Sequence, residues 1–344
     1  MIDFALVGVA DQRHRLFIHP VERRRAGVHV VGYSEPDETA RAEFAVLHET
    51  PAFADHRELL EQARPSMIAV ASPAAATFEV VRDALAAGVD VIVAPPLTGS
   101  LAELDQLADA ATSAGLRLAV VHTYRNHPAV RLARELVDQG RLGRVREVVL
   151  EVAGEVSDAD LAGASRETLE LYRWFTGASE GTVTGGAAAG EPGRSVAEPA
   201  QPVGGAAPSV NGFVQAADGS VQTVGEPEEQ VIMTVRGTGP DGDSGCEVVR
   251  HPGTAGTALV VQLIGDEGAA AWEVRNGGFR SITGDRPSPV IACGLPADEP
   301  QWVLTDLVRR PAPSTVAEQL LSTRISLLVA ESGRQGGAEL EWRL

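Results

Sequence analysis

The first third of the chain alternates short apolar runs with amphipathic stretches, and that alternation restricts the fold more than any other feature. Phe4–Val9 is continuously apolar, as a strand covered on both faces has to be. Val28–Tyr33, Met67–Ala71, Val89–Val93 and Leu116–Val121 repeat the pattern. Helical segments separate them: one starts near Glu38, one covers Phe78–Ala87 before Gly88, and one covers Leu101–Ala114 before Gly115. A helix between two strands returns the chain to the same end of the sheet, so the strands run parallel. The pattern predicts an α/β fold, a Rossmann-type doubly wound sheet with right-handed crossovers.

The texture changes near residue 123. A helix is predicted over Pro128–Gln139, a strand over Val145–Val152 and a further helix over Arg166–Thr176. Strands are then expected at Gln230–Arg236, Glu247–Arg250, Ala258–Ile264 and Ala270–Val274, followed by a helix at Thr315–Glu331 and a strand at Glu339–Arg343. That succession predicts an α+β domain on a mostly antiparallel sheet. The chain's 344 residues exceed the usual size of one domain, about 150 residues, and divide into 1–122 and 123–344. Residues 181–225, rich in Gly, Ala and Pro, read as a loose loop in the second domain.

Charge removes several function classes. The sequence has 29 basic and 47 acidic side chains, a formal charge of −18, and every basic residue is arginine. A chain without lysine has no Schiff-base lysine and no phosphate-loop lysine. Its acidity argues against nucleic acid, whose phosphates it would repel. No apolar run approaches the ~20 residues that cross a bilayer, so no membrane partner is expected. The N-terminus lacks the basic start of a signal peptide, and the two cysteines, Cys246 and Cys293, form no disulfide framework. A cytoplasmic protein is expected. The histidines are scattered without ligand spacing, so no metal is expected either.

Several motifs resemble the Gfo/Idh/MocA oxidoreductases, the family of glucose-fructose oxidoreductase and inositol dehydrogenase. They are Ala71-Ser72-Pro73, the run Ala84–Thr98, His122-Thr123-Tyr124-Arg125-Asn126-His127-Pro128, Gly140–Val145, Trp174-Phe175-Thr176-Gly177, Ile264–Gly268 and Ala330–Gly333. The resemblance spans nearly the whole chain. It implies a dinucleotide-binding domain for NAD(P), a second domain that holds a sugar, inositol or similar polyol, and hydride transfer at a carbon bearing oxygen. It also implies that a lysine in a Glu-Lys-Pro motif and a histidine on the second domain's helix handle the proton.

Those marks are altered here. The Glu-Lys-Pro position reads Ala94-Pro95-Pro96, and proline can neither give nor take a proton. The helix pattern Asp-x-Gly-x-His-x-x-Asp reads Gly163, Ser165, Glu167 and Glu170, and a further family histidine is Thr77. The dinucleotide fingerprint G-x-G-x-x-G becomes Gly8-Val9-Ala10-Asp11-Gln12-Arg13. Ala10 and Arg13 crowd a loop in which glycine allows close approach, so ordinary NAD(P) binding is expected to be weakened. Glu35 stands where a ribose-binding acid belongs, and Ser72 and Pro73 follow the third strand at the same edge.

His122 and Tyr124 follow the fifth strand, at the sheet end where ligands of doubly wound folds bind. Each of the two faces the cleft as a catalytic candidate or packs in a domain-crossing turn. Arg125 reads as the partner of a carboxylate. Glu167 is a candidate base if burial raises its pKa, and otherwise a helix-surface glutamate. Two other patterns are decoys. Gly237–Gly242 fits the dinucleotide fingerprint by letter, but Pro240-Asp241-Gly242 is turn chemistry between strands. Gly177-Ala178-Ser179-Glu180-Gly181 lacks the strand that precedes a nucleophile elbow. The expected role is that of a divergent family member without ordinary dehydrogenase chemistry. It would bind a polyol or nucleotide, serve as a regulatory partner of an active paralogue, or run a repurposed reaction. The alternative is an NAD(P)-dependent oxidoreductase with substituted catalytic groups. An open sheet face in the second domain favours a homo-oligomer.

Overall fold

In the computed structural model of the chain the described residues are 2–10, 17, 28–48, 50–154, 156–185, 230–251, 258–274, 278–283, 286–287, 291–292 and 315–344. They divide into two compact units: Met1–Thr123 with Ala297–Arg324, and Tyr124–Pro296 with Ile325–Leu344.

The first unit is built on a six-stranded parallel sheet of β1 (Ile2–Val7), β2 (Val28–Ser34), β3 (Ala52–Phe53), β4 (Met67–Val70), β5 (Asp90–Val93) and β6 (Leu118–Val120). Its strand order is β3-β2-β1-β4-β5-β6. The order reverses between β1 and β4, the place where a doubly wound sheet opens a crevice at its carboxyl edge. Connecting helices are α1 (Glu38–His48), α2 (His56–Ala63), α3 (Ala74–Ala86) and α4 (Leu101–Ala114). Ser100 caps α4 by accepting the Glu103 N–H, and Gly115 ends it in the left-handed conformation at φ 64°. The strand interiors are apolar because both faces are covered, while Asp3 and His29 mark the exposed beginnings of β1 and β2. Phe4, Leu6, Tyr33, Phe44, Met67 and Ile92 form one core with Phe17, and Tyr33 meets Phe44 edge-on at 4.6 Å. Each such buried side chain stabilises the fold by about 1.5–3 kcal/mol.

The second unit starts with a 3₁₀ turn, Tyr124–Asn126, that leads into α5 (Pro128–Asp138). A ten-stranded sheet follows. It comprises β7 (Val145–Ala153), β8 (Glu180–Gly185), β9 (Gln230–Gly239), β10 (Gly242–His251), β11 (Ala258–Gly265), β12 (Gly268–Glu273), β13 (Gly278–Thr283), β14 (Arg286–Pro287), β15 (Ile291–Ala292) and β16 (Leu340–Arg343). Its path is β14-β13-β12-β11-β7-β10-β9-β8-β16, with β15 against β13. All pairings are antiparallel except β7 with β10. Along β7 the fully buried Val148, Leu150 and Val152 alternate with half-buried Glu147, Val149 and Glu151. Helix α6 (Asp158–Thr176) packs on β7 and β10, and the buried Tyr172 hydroxyl lies 3.1 Å from Ser244 Oγ. Burial pushes the Tyr172 phenol up to about 12. Helix α7 (Val316–Arg334) precedes β16.

Three differences from the sequence-based expectations have local causes. α6 begins eight residues before Arg166, because its first half is made of small residues around Gly163 that carry no apolar periodicity. There Ser165 donates to the Leu161 carbonyl and Thr168 to the Ala164 carbonyl. α2 is only one cap and two turns, started by Asp55, which accepts the Arg57 N–H at 2.6 Å. The loop expected from residue 181 begins inside β8, whose register extends to Gly185 with β9 and to Val183 with β16. Residues 186–225 lie outside the described residues. Pro240-Asp241 connects β9 to β10 as the expected hairpin turn.

Candidate functional site

Five chain segments leave the carboxyl edge of the parallel sheet side by side. The backbone ladder continues one residue past each strand and fixes them. Gly8 N–H donates to the Ser34 carbonyl at 3.0 Å, Ala71 N–H to Val7 at 2.8 Å, Ala94 N–H to Val70 at 2.8 Å and Val121 N–H to Val93 at 2.9 Å. Glu35, Gly8, Ser72, Pro95 and His122 therefore succeed one another along one edge, in strand steps of about 4.8 Å. The sequence candidates of the first unit are brought together in one row, except Arg13, which lies outside the described residues.

Gly8 sits at the point where the strand order reverses. Its φ of 85° belongs to the left-handed region, and a Cβ there would stand 2.7 Å from the Ser72 nitrogen. Only glycine allows β1 and β4 to close up at their ends. Ala10 is exposed and Ser72 is buried, while Pro73 is exposed at the start of α3. Thr77 is fully buried and donates to the carbonyls of Ser72 (3.1 Å) and Pro73 (3.2 Å). That hydroxyl ties the turn to the first turn of α3.

Glu35 is 7% exposed, and its carboxylate is spent mostly on backbone. Oε2 accepts the N–H groups of Val9 (2.9 Å) and Ala10 (3.0 Å), and Oε1 accepts that of Asp37 (3.0 Å). Arg41 braces the same corner by donating to the carbonyls of Glu35 (2.6 Å) and Pro36 (3.1 Å). A carboxylate offers about four acceptor sites, so one remains on Oε1. The described residues suit a dinucleotide in two respects. The left-handed Gly8 brings its backbone close to β4 at the switch point, and among the described residues Glu35 keeps one acceptor site that a ribose hydroxyl could take. They fit. An NAD-type group held at this edge would supply or take a hydride, and Glu35 would be the residue to hydrogen-bond its ribose.

Pro95 is half-buried, joined to Pro96 by a cis bond, with Ala94 and Leu97 buried on either side. No titratable side chain occupies position 95. Farther along the segment, buried Thr98 donates to the Glu103 carboxylate.

In the second unit, two carboxylates one turn apart on α6 hold two consecutive residues of the 124–126 turn. Glu167 Oε2 accepts the Tyr124 backbone N–H at 3.0 Å, and Glu170 pairs with the Arg125 guanidinium. Glu170 also takes Arg173 at 3.3 Å. The helix-surface reading of Glu167 is corrected: it is 8% exposed, turned inward by its bond to the turn. Arg125 pairs with a carboxylate as expected of an arginine in such a turn, and it also lies 5.4 Å from the centroid of the Trp174 ring. The side chains of His122 and Tyr124 are half-buried. Sequence reasoning missed Glu170 as a partner and His127 as the cap of α5. The adjacent His127-Pro128 pair was the available signal, since proline favours the first helical position. Among the described residues no group of three or more His, Cys, Asp or Glu side chains is placed to hold a metal, and no helix is long and apolar enough to cross a membrane.

Residues 2–122 match the Gfo/Idh/MocA model of an oxidoreductase family with an NAD-binding Rossmann fold. The uncharacterized oxidoreductase YhhX of Escherichia coli K12 is 28% identical over 152 residues, 43% of this chain and 43% of that protein. The match thus spans less than half the length of this curated relative. Two solved structures share the fold along the chain. The UDP-N-acetylglucosamine 3-dehydrogenase GnnA of Acidithiobacillus ferrooxidans is 17% identical, with 97% of this chain and 98% of that one covered and a TM-score of 0.69. The WlbA dehydrogenase of Bordetella pertussis, solved with NADH and UDP-GlcNAcA, is 15% identical, with 100% and 99% covered and a TM-score of 0.68. The switch-point glycine and the acid at the end of β2 lie within residues 2–122, the part of the chain that is similar to the NAD-binding Rossmann domain of the Gfo/Idh/MocA oxidoreductase family.

Proposed function

We propose that the protein binds an NAD(P)-type dinucleotide along the Glu35–His122 edge without performing the dehydrogenation of polyols that the family resemblance implies. One observation carries this reading. Pro95 stands at the end of β5, where the resemblance places the proton-handling lysine. Glu167, in the position of the family histidine, is committed to a backbone N–H. Oxidation of an alcohol needs a base for the hydroxyl proton as well as an acceptor for the hydride. The groups left for that task are His122 and Tyr124.

The protein then acts as a binding or regulatory subunit, with a small polyol or sugar-like ligand, beside itself or an active paralogue. Self-association belongs to the same proposal. The sheet face opposite α6 carries the half-buried Val149, Ile232, Ile264 and Ile282 among Glu147, Arg236 and Glu247. Light scattering on the purified chain is expected to give a dimer or larger species, and a monomer at all concentrations contradicts this part.

Titration of intrinsic fluorescence with NADH tests the binding. Saturable binding is expected, weakened about tenfold or more by Glu35→Ala, since hydrogen bonds to a charged group are worth about 1.5–3 kcal/mol and each 1.4 kcal/mol is tenfold. Absence of saturation in the native chain rejects the proposal. A second reading, an NAD-dependent oxidoreductase acting on a nucleotide sugar, is favoured by the fold shared with GnnA and WlbA. NADH formation with a UDP-hexosamine would select it.

A further inference from the structure

His127 is a histidine in the N-cap position of α5 and only 6% exposed. Its Nδ1 accepts the Ala129 N–H at 3.2 Å, so the neutral ring carries its proton on Nε2. That Nε2 is buried with no hydrogen-bond partner among the described residues. The His127 backbone N–H donates to the Tyr124 carbonyl at 3.0 Å and closes the 124–126 turn, while its carbonyl accepts the Arg131 N–H at 3.1 Å. One residue thus joins the turn that presents Tyr124 and Arg125 to the helix behind it.

We propose that His127 is an acid-released latch on this turn: neutral, it caps α5 and holds the turn closed; protonated, it gives up the cap and frees both. The chemistry follows from the tautomer. Nδ1 is the ring's free lone pair, so an added proton goes there and sets two N–H donors, His127 and Ala129, against each other. The new charge would also be buried at the positive end of a helix. Both costs vanish if the ring swings into solvent, which breaks the cap. Burial holds the His127 imidazole below the usual histidine range. The charged groups with described side chains on the elements packed against the turn are Arg125 in the turn, Arg131, Arg134, Glu135 and Asp138 on α5, and Arg166, Glu167, Glu170 and Arg173 on α6. Glu167 and Glu170 are bonded to Tyr124, Arg125 and Arg173. Arg134 pairs with Asp138 at 2.7 Å.

The sign is fixed by the depressed pKa. The stabilisation is complete above the unfolded value, about 6.5, and is lost as pH falls from there through the folded value. The latch does not depend on whether a dinucleotide binds. Histidine-selective ¹⁵N NMR of the full chain should show His127 as the Nε2–H tautomer at pH 7.5, titrating below the ordinary value. Thermal denaturation between pH 7.5 and 5.5 should lower the midpoint of the native chain by about 2 °C more than that of His127→Asn, which caps without titrating. His127→Ser, also a capping residue, replaces that variant if it fails to fold. An Nδ1–H tautomer, titration at or above the ordinary value, or superimposable pH profiles overturn the latch.

Discussion

Gly8 and Glu35 act on the same loop by opposite means, one by having no side chain and one by spending its carboxylate on backbone. Gly8→Ala places a Cβ 2.7 Å from a backbone nitrogen, which cannot swing away as a side chain does, at a φ of 85° that disfavours alanine. Urea denaturation is expected to show a loss of about 2 kcal/mol or more. A loss below about 0.5 kcal/mol would mean that β1 and β4 do not close up here. Gly8 was legible in the sequence because the fingerprint requires glycine at a strand end. The place of Glu35 was legible too, but its partners were not. They depend on the path of Val9 and Ala10, which no spacing encodes. Pro95 was the clearest mark of the resemblance-based reading, since a proline side chain itself neither gives nor takes a proton.

At the scale of elements, α6 is the piece most changed by the structure. From sequence it was a helix of about three turns with Glu167 on its surface. It is 19 residues long and uses Glu167 and Glu170 to hold the turn before α5. Glu170→Gln should destabilise the protein by about 2 kcal/mol in chemical denaturation. That is below the 3–5 kcal/mol of a fully buried pair, because Arg125 keeps access to solvent. An unchanged midpoint would show that the turn does not rely on this ion pair. The small-residue half of α6 and the short β3 and α2 escaped periodicity for the same reason. Too few apolar positions fall on one face to distinguish a helix or strand from a loop. The longer strands and α4 did not, because continuous apolar runs and a serine–glycine pair of stops mark them plainly.

At the scale of the molecule, the alternation of strands and helices predicted the parallel sheet, and the later strand-rich texture predicted the second one. The strand order could not be read, since order depends on which crossovers pack where. The order matters most for function, because it brings Glu35, Gly8, Ser72, Pro95 and His122 to one edge. A chain of charge −18 offers an anionic dinucleotide no net long-range attraction, so on the proposed reading added salt should weaken NADH binding only slightly. A fall of tenfold between 50 and 300 mM salt would point to arginine clusters instead. The central claim is that this edge binds dinucleotide while position 95 leaves the family's alcohol chemistry without its proton acceptor. Absorbance at 340 nm tests it most directly, with the protein held in saturating NAD+ or NADP+ and offered myo-inositol, glucose and related polyols in turn. The account predicts no NADH or NADPH formation above a protein-free control. Steady turnover on any of them, abolished by Tyr124→Phe, would contradict it.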